Sequence, residues 1–215
     1  MGIESIILLL LLPITATFIG ISRHVIGFKS LGIYLSLVLV YIFYQLGSIS
    51  GTAYSDPITG LKYGIFLVII IFLSAAFSYQ FFRRWSIHYY PKLAMVLVNV
   101  TLILLILMTA LGYFNISNVI KINAFTLVLI ASVSEKYVSI LTRKKITATL
   151  ILTTESLVQA IICYLIISIQ PFIDFLIKYP YIILVLYPIN YFVGKFAGLR
   201  ISEYFRFKKI LDRLE

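Results

Sequence analysis

The chain has 215 residues, of which 61% are hydrophobic and only 12% charged. A water-soluble domain covers its surface with roughly 25% charged residues, so a soluble fold is excluded, and high apolarity excludes intrinsic disorder. The net charge of +10, from 18 Lys and Arg against 8 Asp and Glu, suggests nucleic acid in a soluble protein but orientation in a membrane protein, and no nucleic-acid partner is expected.

About 20 apolar residues are needed to cross a hydrocarbon core roughly 30 Å thick. Seven stretches qualify, approximately Ile3–Ser22, Leu31–Ile49, Leu61–Phe82, Leu93–Tyr113, Ile122–Leu141, Ile146–Ile169 and Tyr179–Leu199. Backbone in lipid must satisfy its own hydrogen bonds, so these runs predict helices, and their continuity excludes the alternating pattern of a β-barrel. The first stretch reads as a span and not a signal peptide, because Glu4 stands where a basic residue would be needed. The expected fold is all-α: one domain of seven transmembrane helices over 1–199, with a basic amphipathic tail over 200–215.

The loops sort by charge. Arg23, Lys29, Arg83, Arg84, Lys92, Arg143, Lys144 and Lys145 fall on one side with the tail residues Arg200, Arg206, Lys208, Lys209 and Arg213, thirteen in all. The other side has three, Lys62, Lys121 and Lys178. The positive-inside rule then predicts a cytoplasmic C-terminus and an outside N-terminus, in a plasma membrane. Aromatic residues mark several span ends, among them Phe81, Phe82, Trp85, Tyr89, Tyr90 and Tyr113. The largest outer loop, roughly Gly47 to Gly60, contains Asp56-Pro57, a turn signal.

Few polar groups lie within the spans, and such groups cost several kcal/mol unless they face the bundle interior. Glu135 and Lys136 stand in the fifth span, Glu155 in the sixth, Asn99 in the fourth, and Asn190 and Lys195 in the seventh. Glu135 or Glu155 pairing with Lys195, with Asn190 and Asn99 nearby, would form a polar node. Against this, Lys136 and Lys195 can snorkel to the headgroups, and a buried pair can serve packing alone. In the seventh span Pro188 can kink the helix, and Gly194 and Gly198 allow a close helix contact. The lone Cys163 reads as a small buried apolar residue. Two distant histidines, one cysteine and no phosphate-binding loop or nucleophile arrangement give no metal, cofactor or catalytic residue, so no enzyme is expected.

Four segments together resemble a known family. They are Ser22–Tyr34 (SRHVIGFKSLGIY), Pro91-Lys92-Leu93, Ser134-Glu135-Lys136-Tyr137, and the run from Asn190 through Gly194-Lys195-Phe196-Ala197-Gly198 to Phe207. In this order they resemble the prokaryotic seven-helix membrane domain usually fused behind an inactive transglutaminase-like domain. The terminal Gly-Leu-Arg-x-x-Glu-Tyr-x-Arg-Phe run is the most specific piece. More distantly, the first inner loop and the fifth span resemble the small membrane subunit of poly-γ-glutamate synthases, which works beside a cytosolic amide ligase. The resemblance implies a non-enzymatic platform for an ATP-grasp-type ligase partner, guiding an anionic polymer or peptide across the membrane. The basic residues Arg23, Lys29, Arg83, Arg84, Lys92, Arg143, Lys144, Lys145, Arg200 and Arg206 would then dock that partner, beside their role towards lipid headgroups. The alternative from the intramembrane charges is a small ion- or proton-coupled transporter.

Overall fold

A computed structural model describes residues 3–29, 31–48, 54–85, 88–113, 124–144 and 146–195. Among these residues the chain is helical, with no strand and a single isolated bridge between Ser48 and Ser55. The helices are α1 (Ile3–Ile21), α2 (Ile33–Gly47), α3 (Pro57–Phe82), α4 (Tyr89–Tyr113), α5 (Ala124–Arg143), α6 (Ile146–Ile167), α7 (Gln170–Lys178) and α8 (Leu186–Lys195). A π-helical turn, Ser22–Ile26, extends α1, and a 3-10 segment, Pro180–Val185, leads into α8.

Five of these helical segments are long and apolar enough to cross a membrane, or up to six if the bent pair Gln170–Lys178 and Pro180–Lys195 forms one span. Their outward faces are as apolar as their cores: Leu73 and Phe77 of α3 are 66% and 69% exposed. A helix apolar all round suits lipid and not water. The protein is therefore a multi-pass membrane protein.

Three expectations need correction. Asp56-Pro57 is not a turn inside a long loop but a helix start: Asp56 is the N-cap of α3 and Pro57 its first residue, where a missing N–H costs nothing. The seventh stretch is not one continuous α-helix. It opens as a 3-10 segment after a 96° bend from α7, and the bend falls at Tyr179-Pro180 and not at Pro188. A residue before proline is forced out of the α region, and Tyr179 adopts φ −127°, ψ 66°. Pro188 lies harmlessly in the first turn of α8. Finally, a Cβ added at Gly194 meets nothing within 4 Å among the described residues, so Gly194 makes no close helix contact there. Gly198 and the tail lie outside the described residues.

The chain divides into two compact units: residues 1–40, 51–54 and 151–215, and residues 41–50 and 55–150. The second unit is built on α3, α4 and α5, each packed on the other two. Its core comes from single helix faces: Leu67, Ile71 and Ala75 of α3, Val96, Val100 and Leu104 of α4, and Ile130, Val133 and Tyr137 of α5. The Phe72 and Tyr137 rings meet at 4.7 Å. Gly64 of α3 faces the buried ring of Phe43. A short link joins α2 to α3, closed by the Asp56 N–H donating to the Gly47 carbonyl at 2.8 Å.

In the first unit, α1 packs against α7, the 3-10 segment and α8. Asn190 of α8 donates to Thr17 Oγ1 of α1 at 2.9 Å. Ahead of α3, the Tyr54 hydroxyl donates to Asp174 of α7 at 2.6 Å, and that hydrogen bond raises the Tyr54 phenol above its ordinary pKa.

Candidate functional site

The best-built polar constellation lies in the first unit, where α1 gives way to α2. The last turn of α1 widens into the π-helical Ser22–Ile26. Gly27 closes it in the left-handed region at φ 92°, its N–H donating to the Ser22 carbonyl at 3.1 Å. Side chains disfavour that region, so glycine is the residue that lets the chain turn here. Gly32, at φ 131°, ends the link just before α2.

Between the two glycines the backbone has no helix to satisfy it, and α6 does so instead. The Lys29 N–H donates to the Glu155 carboxylate at 2.6 Å, and the Leu31 N–H donates to Ser156 Oγ at 2.8 Å. The Ser156 hydroxyl in turn donates a hydrogen bond to the Leu152 carbonyl at 2.8 Å. One turn further along α6, Gln159 bonds three ways. Its Nε2 donates to the Ile19 carbonyl at 3.1 Å and to Ser22 Oγ, and its Oε1 accepts from Ser36 Oγ of α2 at 3.1 Å. Ser22, Ser36, Ser156 and Gln159 are all buried, with Gln159 only 1% exposed.

This seam has a consequence for depth. Glu155 stands nine residues into α6, about 13 Å along its axis from Ile146 at 1.5 Å per residue. The Gly27–Gly32 link thus lies well along α6 and not at its end. Backbone that has left a helix needs other protein groups to satisfy it, and Glu155 and Ser156 supply that satisfaction. The same link leads into α2, an apolar helix of only 15 residues, about 22 Å.

The five residues expected to form an intramembrane node fall in both units. In the second unit, Asn99 donates to Ser78 Oγ at 2.5 Å, and Glu135 has an exposed side chain, as does Lys136. In the first, Glu155 accepts the Lys29 amide, Asn190 holds Thr17, and Lys195 Nζ stands 4.7 Å from the Tyr191 ring centroid. Within this unit Glu155 and Lys195 therefore have different partners. Of the expected docking face, Arg23, Lys29, Arg83, Arg84, Arg143 and Lys144 are exposed and Lys92 is half-exposed. Lys145, Arg200 and Arg206 lie outside the described residues.

Sequence reasoning missed Gln159, Ser156 and Ser22. The available signal was the four-residue spacing of Glu155 and Gln159, which puts both on one face of α6.

The chain matches, over residues 4–211, a protein family described as seven transmembrane helices usually fused to an inactive transglutaminase. It belongs to that family. No curated protein and no solved structure matches it. For this seven-helix family the usual fusion partner is an inactive enzyme, which accords with a membrane domain in a non-catalytic role. One of the four segments that carry the resemblance, Ser22 to Tyr34, contains the residues that the Glu155–Gln159 seam bonds.

Proposed function

We propose that this family member is a non-enzymatic membrane platform whose first inner loop docks a cytosolic ligase-type partner, with that partner's anionic polymer or peptide guided outward. In this reading the protein crosses a prokaryotic plasma membrane seven times, with the N-terminus outside and the C-terminus in the cytoplasm. The observation that carries the proposal is the fixing of a basic loop by buried polar groups. Lys29 spends its backbone N–H on Glu155, while its side chain, like that of Arg23, stays exposed. A fixed cationic surface binds an acidic partner without first losing loop entropy. In the second unit Arg143 and Lys144 are likewise exposed.

Co-purification from native membranes tests this. The wild-type chain is expected to bring down a soluble ATP-dependent amide ligase, and the Arg23→Glu/Lys29→Glu chain is expected to lose it about tenfold or more, since like-charge contacts cost several kcal/mol. Recovery of the chain alone, together with ion-coupled uptake in vesicles, would overturn the platform.

A second reading, a small ion- or proton-coupled transporter using Glu135, Glu155, Lys195, Asn190 and Asn99, is favoured by one observation. The 96° break between Gln170–Lys178 and Pro180–Lys195 is the kind of interrupted helix from which transporters build sites. Glu155→Gln separates the two. A glutamine oxygen still accepts the Lys29 N–H, so partner capture should persist in a platform, whereas a carboxylate-dependent transporter should lose coupled uptake.

A further inference from the structure

We propose that the α3–α4 hairpin of the second unit holds one anionic glycerophospholipid, its acyl chain in the groove between the helices and its phosphate against Arg83, Arg84 and Lys92. A cleft of about 630 Å³ opens there, lined by Phe77 and Phe81 of α3 and by Met95, Val98 and Leu102 of α4. Met95, Val98 and Leu102 follow Pro91 at four-, three- and four-residue steps, so one face of α4 forms one wall. From Pro91 to Leu102 the wall is about 16 Å long, close to the depth of one leaflet in a core roughly 30 Å thick.

The two ends of the cleft differ. The deep end is apolar except for Asn99, whose amide donates to Ser78. At the mouth the chain places Arg83 and Arg84 directly after the lining residue Phe82, and Lys92 directly after the lining residue Pro91. No Asp or Glu occurs anywhere from Pro57 to Ser134, so nothing within this stretch of sequence neutralises the three cations. Phe82 and Trp85 stack edge-to-face at 5.4 Å beside them, at the level where aromatic rings meet headgroups. An apolar slot one leaflet deep with cations and aromatics at one end matches a lipid phosphate on an acyl tail, and basic pockets between transmembrane helices select such headgroups. The site would take Arg83, Arg84 and Lys92 out of the docking face and leave Arg23, Lys29, Arg143 and Lys144 to a partner.

Trp85 is the only tryptophan of the chain, which gives a direct reading on the unmodified protein. The full chain is reconstituted in vesicles of phosphatidylglycerol and phosphatidylcholine with matched acyl chains, one lipid brominated at a time. Brominated phosphatidylglycerol is expected to quench Trp85 as if enriched at least about fivefold over brominated phosphatidylcholine at equal mole fraction, the factor that one well-placed cation contributes. Arg83→Gln/Arg84→Gln/Lys92→Gln should abolish the enrichment, and Arg143→Gln/Lys144→Gln, outside the groove, should leave it. Equal quenching by the two lipids in the unmodified chain would overturn the proposal. So would loss of enrichment in the Arg143/Lys144 chain to the same extent, which would mark general surface charge as the cause.

Discussion

Gly64→Leu is expected to lower the thermal stability of the chain in detergent. A Cβ built on Gly64 lies 2.9 Å from Cε1 and 3.3 Å from Cγ of Phe43, and closer still to Cδ1. Real Cβ atoms do not approach other atoms so closely, and Phe43 is fully buried. The leucine must displace the ring or push α3 away. Overpacking of this kind costs about 1–3 kcal/mol and sometimes more, against a total stability of about 5–15 kcal/mol. Size-exclusion of a fluorescently tagged chain and a circular-dichroism melt would show the loss. Phe43→Ala on the same chain should restore part of it, because the added side chain then enters the vacated volume. The two substitutions are in contact and should be strongly non-additive. Gly20→Ala, inside α1 where an added Cβ meets nothing within 4 Å, serves as the contrast and should not destabilise, since alanine suits a helix better than glycine.

Gln159→Leu should unlatch the seam that holds the first loop. Leucine removes the acceptor of Ser36 Oγ and the donor to Ser22 Oγ and the Ile19 carbonyl. Ser22 keeps a bond to the Ile19 carbonyl at 3.0 Å, but Ser36 is left buried without its Gln159 acceptor. An orphaned buried polar group costs about 1–3 kcal/mol. The protein supplies its own reporter. Cys163 is the only cysteine, is buried, and lies one turn beyond Gln159 on α6, so a thiol-reactive dye labels it on unfolding. The midpoint of labelling should fall by about 2–12 °C, using about 2–4 °C per kcal/mol for a chain of this size. Ser36→Ala added to Gln159→Leu should recover part of that loss, since it removes the orphaned hydroxyl. An unchanged midpoint in Gln159→Leu would show that the seam contributes no stability.

Much of this architecture was legible without coordinates. Continuous apolar runs with few charges can only be helices in lipid, and α5 and α6 lie within two residues of their expected bounds. The low charge count also made Glu155 conspicuous, and it proved to be the residue that takes the loop amide. Its partner was not legible. Lys29 and Glu155 are 126 residues apart, and the bond uses a backbone N–H that every non-proline residue possesses. No residue type announces such a contact, so reasoning from side chains looked to Lys195 instead. Gln159 was missed for the same reason: a lone glutamine in an apolar run gains meaning only from what faces it.

The sequence by itself determined what kind of solvent this protein lives in and that its long apolar segments are helical. Those follow from local properties: transfer free energy, backbone satisfaction and charge. Only the tertiary structure decided that the link between α1 and α2 lies well along α6, that the last apolar stretch is broken at Tyr179-Pro180, and that α3 and α4 leave a groove at their basic end. Each of these depends on how distant side chains and backbone groups meet, and in a chain that is apolar nearly everywhere the hydrophobic pattern leaves those meetings unspecified.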